Sequence, residues 1–104
     1  MTDTPPLSVA HAVVARMVRR AAVAAPGVVR IGHGGPAILA RLEPAVTVRT
    51  RDDGIAVRIV VIARPGHDLR VVAGDVRSAV GATVERLLGL ALSDVTVVVD
   101  GVGE

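Results

Sequence analysis

The residues with chemistry to offer are a glycine-rich loop, a pair of carboxylates, a histidine beside an aspartate, and three serines. The loop is Ile31-Gly32-His33-Gly34-Gly35-Pro36-Ala37-Ile38. Glycines without a Cβ let main-chain amides approach the oxygens of a phosphate. Pro36 removes an amide directly after Gly35, however, and no lysine flanks the loop to add charge. His67 beside Asp68 could orient an imidazole for acid or base work, but neighbours at the start of a helix usually serve turn and cap geometry. Asp52 and Asp53 sit in a hairpin turn, which explains two adjacent carboxylates without catalysis. Ser8, Ser78 and Ser93 lie in no nucleophile elbow. His11, His33 and His67 lack the spacing of zinc ligands. No cysteine is present, so disulfides, thiolate metal sites and cysteine nucleophiles are excluded. The expectation is a protein with no catalytic residue, no metal site and no cofactor.

Composition narrows the classes further. At 104 residues the chain has length for one domain, and 51% hydrophobic residues supply a core, but none is aromatic. Aromatic stacking of bases, as in most single-strand nucleic-acid binders, is therefore unavailable. All the basic residues are arginine, and ten acids against twelve leave a net charge of +2, which is weak ground for a nucleic-acid partner. Asp3 and two prolines near the N-terminus do not read as a secretory signal. No apolar run approaches the roughly 20 residues needed to span a bilayer. The expectation is a cytoplasmic protein without direct membrane insertion, any attachment to the membrane being borrowed from a partner.

These groups have to be positioned by elements that hydrophobic periodicity reveals. Ala10, Val13, Val14, Met17, Val18 and Ala21 recur at helical spacing, with His11, Arg16, Arg19 and Arg20 on the opposite arc, so a helix over 9–25 is predicted, capped by Ser8 and stopped by Pro26-Gly27. Residues 28–31 read as a short strand or a packed loop, and 37–42 as a short helix. Val46, Val48 and Thr50 alternate with Thr47, Arg49 and Arg51, the period of a half-buried strand. Asp53-Gly54 suits a tight hairpin with positive backbone angles. The return strand, 55–62, puts Val57, Ile59 and Val61 on one face and Arg58, Val60 and Ile62 on the other. Asp68 caps a second helix over 69–88, with Leu69, Val72, Val76, Val80, Val84 and Leu87 as its core stripe and Gly89 as its stop. A last strand over 95–99 turns Val95, Val97 and Val99 inward, Thr96 and Val98 outward.

The expected fold class is α/β (α+β): a small mixed sheet of three to four strands with two long helices packed on one face, in the order α-β-β-α-β. Residues 8–102 form one domain, with a flexible N-terminus over 1–7 and a tail at 103–104. Helices on one face leave the other open, carrying Arg49, Arg51, Arg58, Val60, Ile62 and Val98. Arginine mixed with branched aliphatics makes this a candidate protein-contact face. An ordinary solvated face is the competing reading, since antiparallel sheets commonly leave one side wet.

Two resemblances bear on function. The glycine loop resembles the I-G-x-x-G-x-x-I signature of KH domains, which implies a nucleic-acid-binding loop at Gly32, His33, Gly34 and Gly35 as the alternative function. Nearly the whole chain resembles the alkaline shock, or general stress, protein family of Gram-positive bacteria. The likeness rests on the helix running into Ala25-Pro26-Gly27-Val28, the V-x-V-x-V strand from Val57 to Val61, and the turn Pro65-Gly66-His67-Asp68-Leu69. It continues in the helix end Leu87-Leu88-Gly89-Leu90 and the final strand with Asp100-Gly101-Val102. The resemblance implies a non-enzymatic protein of the envelope stress response. Such a protein associates with itself as a homo-oligomer, acts as a scaffold or adaptor, and is held near the cytoplasmic membrane by a membrane-anchored partner.

Overall fold

The computed structural model describes residues 7–34 and 44–103, and side chains from residue 10 onward. The expected helix over 37–42, Gly35 and most of the N-terminal segment lie outside the described residues. Helix α1 spans Leu7–Val23. Ser8 therefore stands inside its first turn and not at the cap, a shift of the kind to which helix ends are prone. Val14, Val18 and Ala22 bury a line at four-residue spacing, continued by Ala25, while Val13 is half exposed. Strand β1, Val28–Ile31, follows at once, so the strand reading of that stretch is the one the fold adopts.

Strands β2, Val46–Arg51, and β3, Gly54–Ala63, form the hairpin. Asp52 and Asp53 make its turn without positive backbone angles; among the described residues only glycines have positive φ. Gly54, at φ +140°, takes the strained position, and a Cβ there would stand 2.5 Å from Ala91 O. That close approach lets Ile55 N–H donate to Ala91 O at 2.9 Å. Helix α2, Leu69–Ala82, starts where Asp68 Oδ1 accepts from Arg70 N at 2.9 Å. It continues into one π-helical turn, Thr83–Leu87, and strand β4, Leu92–Val102, closes the chain.

The π turn corrects the predicted core stripe. Leu88 N–H reaches back five residues to Thr83 O at 3.0 Å, which widens the turn and rotates the following side chains. Leu87 is left 66% exposed, and Leu88 packs against the core in its place. Leu69 is also exposed, at 43%, because it lies one turn before the first buried position, Val72.

The sheet is mixed. β3 pairs antiparallel with β2 from Val46↔Ile59 to Arg51↔Gly54, antiparallel with β1 from Val28↔Ala63 to Ile31↔Val61, and parallel with β4 from Ile55↔Leu92 to Ala63↔Val102. Val60 N–H donates to Ala45 O and its carbonyl accepts from Gly32 N, so β1 and β2 lie end to end along one edge of β3. A register irregularity between Val28 and Arg30 lets Val28 and Ile31 both face the core while Arg30 faces away. Both helices cover the face bearing Val57, Ile59, Val61 and Val95, meeting it with Val14, Val18, Val72, Val76, Val80 and Val84.

The opposite face is not uniformly open. Val60 is 1% and Ile62 4% exposed, so neither offers the surface expected of it. Glycines at 34, 101 and 103 come down on Ile62: a Cβ at Gly34 would stand 3.1 Å from Ile62 Cδ1, and one at Gly103 3.2 Å from Cγ2.

Packing yields contrasting outcomes for two glycines. Gly27 lies against α2, where a Cβ would collide with Val72 Cγ2, whereas a Cβ at Gly74 would meet nothing within 4 Å. Gly27→Ala is expected to cost about 2 kcal/mol by overpacking, and Gly74→Ala to add about 0.5–1 kcal/mol through helix propensity, both read from urea denaturation midpoints. Val60→Asp is expected to cost about 3 kcal/mol or more by burying a charge without a partner, whereas Arg58→Glu on the exposed face should stay within about 0.5 kcal/mol, both read by thermal melts.

Candidate protein-contact face

Residues paired across a sheet share a face, so the register assembles the uncovered side directly. Thr47 faces Arg58, Arg49 faces Ala56, and Arg51 faces Gly54 across the hairpin; on the other side Asp94 lies beside Ala56, Thr96 beside Arg58 and Val98 beside Val60. Arg49, Arg51 and Arg58 are exposed, Val98 is half-buried, and Val60 and Ile62 are buried. The six expected contact residues thus divide into an open, basic end and a closed, apolar end. Alternation places side chains on a face; it cannot report that glycines from other parts of the chain lie against Ile62.

The open end is concave. Pro44, Thr47, Arg49, Arg51, Ala56, Arg58, Asp94 and Thr96 line a shallow basin of about 540 Å³. The small side chain of Ala56, itself buried, forms part of the floor. Thr96 Oγ1 donates to Asp94 Oδ2 at 3.3 Å, which turns this carboxylate toward its own strand. None of the three arginines makes an ion pair among the described residues. Asp94 escaped the sequence reading because β4 was expected to begin at Val95; carrying the alternation one residue back would have found it.

The closed end is held by a small polar cluster. Gly34 N–H donates to Asp100 Oδ2 at 2.8 Å, His33 Nδ1 lies 3.8 Å from the same oxygen, and Arg30 Nη2 donates to His33 O at 3.4 Å. Gly32 N–H is taken by Val60 O at 2.9 Å. This arrangement gives the nucleic-acid reading of Gly32, His33 and Gly34 no support. Two of the amides that would cradle a phosphate are already bonded, and a carboxylate stands where a phosphate oxygen would come. The loop also follows a strand, where the KH signature joins two helices.

The remaining candidates stay apart. Asp68 caps α2, and His67 beside it is exposed with its N–H directed to Arg64 O at 3.4 Å. His11 Nε2 pairs with Thr50 Oγ1 at 2.9 Å across the α1–β2 contact. Ser78 and Ser93 are on different elements with no histidine bonded to either. Among the described residues no three His, Cys, Asp or Glu side chains gather in a way that could hold a metal.

The architecture recurs in solved structures. A zinc form of a MamM CTD variant superposes with a TM-score of 0.62 at 16% identity, covering 86% of this chain and 84% of that one. A manganese form gives 0.62 at 17% identity, with 86% and 96% covered, and a copper form 0.62 at 16%, with 86% and 95%. At such identities the likeness shows the fold alone, and those metals belong to those proteins. No curated protein gives a significant match to the sequence. A family model does: it matches residues 2–103, nearly the whole chain. The chain belongs to the alkaline shock protein 23 family, of cell envelope-related function.

Proposed function

We propose that this protein is a non-enzymatic scaffold or adaptor of the cell-envelope stress response, which associates with itself and is held at the cytoplasmic side of the membrane by a membrane-anchored partner. Its protein-contact face is the open end of the sheet. The observation that carries this reading is the placement of Arg49, Arg51 and Arg58, exposed and without an ion pair among the described residues, on a part of the sheet that neither of the two described helices covers. Exposed arginine is the charged side chain most used at protein interfaces, because its planar fork bonds carboxylates while its stem excludes water.

Three further observations support it. The buried side chains among the described residues are apolar throughout, and the residues with acid, base or nucleophile chemistry are dispersed. No described helix is long and apolar enough to cross a membrane, which suits attachment through another protein. The family to which the chain belongs has a cell envelope-related function.

Sedimentation velocity of the wild-type protein over a wide concentration range tests the self-association. A weight-average mass that rises with concentration is expected, and a concentration-independent monomer overturns that part of the reading. The double variant Arg49→Glu/Arg58→Glu, with an unchanged circular dichroism spectrum, should be lost from the membrane fraction of its native cells; retention equal to wild type would remove the contact role of this face.

A further inference from the structure

The basic end of the sheet has a definite pattern. Arg49 and Arg51 are alternate residues of β2 and stand about 6.7 Å apart on one face. Arg58 is the diagonal neighbour of Arg49 across the hairpin, because it pairs with Thr47 while Arg49 pairs with Ala56. Diagonal neighbours are separated by about 7–8 Å. The three arginine positions thus mark a short zigzag of nearly even step along the basin. Like charges at this spacing repel, and no described carboxylate pairs with them: Asp94, the acid that lines the same basin, is engaged by Thr96 Oγ1.

We infer that this basin is the receptor for an acidic, extended segment of a partner protein, whose carboxylates at alternate positions fall on Arg51, Arg49 and Arg58. The inference rests on the reading of this face as a protein contact and names the chemistry of what it contacts. An extended chain repeats its side chains on one face every two residues, about 6.7 Å, the step of the arginines. Carboxylates accept two parallel bonds from a guanidinium fork, which gives geometric selection as well as charge. Thr47 and Thr96 border the arginines and offer hydroxyls to the partner's backbone.

A second copy bound face to face does not suit the basin, because a two-fold axis would set one arginine cluster against another. A flat anionic bilayer suits it less than a peptide does. The basin is concave, with the small side chain of Ala56 in its lining, and a single extended chain enters such a hollow more readily than a flat surface does. A nucleic acid suits it less as well, because the chain has no aromatic side chain on which a base could stack.

The test is fluorescence anisotropy on the full chain with four probes. These are a labelled peptide bearing three glutamates at alternate positions, its isomer with the same glutamates contiguous, a labelled single-stranded oligonucleotide, and vesicles of phosphatidylglycerol and phosphatidylcholine. The alternating peptide is expected to bind more tightly than the other three, and Arg49→Glu/Arg58→Glu to weaken it about tenfold. Arg51→Gln, which only removes a charge from an exposed strand position, serves as a second variant and should weaken it less. Equal or tighter binding of the contiguous isomer, the oligonucleotide or the vesicles overturns the inference, as does no binding of the alternating peptide or no effect of either variant. A protein that self-associates in sedimentation but ignores the peptide overturns this inference and leaves the scaffold standing; a strict monomer that binds the peptide does the reverse.

Discussion

Every other element depends on the demands of β3. This strand is hydrogen-bonded along both edges, to β1 and β2 on one side and β4 on the other, and among the described strands it is the one that pairs with all the rest. A strand with both edges used cannot be left unpaired at any point without orphaning buried amides, so its length, Gly54–Ala63, sets the length of β4 and the end-to-end arrangement of β1 and β2. Its sequence fits the position. Val57, Ile59 and Val61 supply the core face, and Ile59 and Val61 have no exposure at all.

Joining a parallel neighbour to β3 requires a crossover, and α2 is that crossover. Its fit depends on small residues at close approaches. Gly27 lets the chain after α1 pass directly over Val72, and Gly54 lets the hairpin meet Ala91, just ahead of β4. Gly89, at φ +67°, turns the chain out of the π-helical turn so that Leu90 N–H can return to Val84 O at 3.0 Å. With no aromatic side chain to fill gaps, the core relies on valines meeting valines. Such a core tolerates little misplacement, because each contact is small and voids are not easily filled.

The proposed contact face is what the same economy leaves over. Two helices cover one side of the sheet, and on the other Gly34, held by Asp100, and the glycines at the end of β4 lie against Ile62. The hairpin end keeps its arginines exposed, and among the described residues no carboxylate pairs with them. An exposed charged surface of this kind contributes little to folding. That leaves its residues available to a partner at little cost to the fold.

Much of this was legible in the residues alone. The period of two in 46–51 and 55–62, the helical period in 9–25 and 69–84, and the punctuation by Pro26-Gly27, Asp68 and Gly89 report local physics, which acts through neighbours in the chain. The three arginines could be placed on a common face by alternation, for the same reason. The sequence could not show that β1 joins the sheet, that β4 runs parallel to the whole of β3, that a π turn exchanges Leu87 for Leu88, or that Val60 and Ile62 are covered. Each of these depends on residues far apart in sequence meeting in space: Val60 with Ala45 and Gly32, Ile62 with Gly34 and Gly103, Gly54 with Ala91. Only the folded chain brings those pairs together, and they decide which half of the arginine-bearing face remains open.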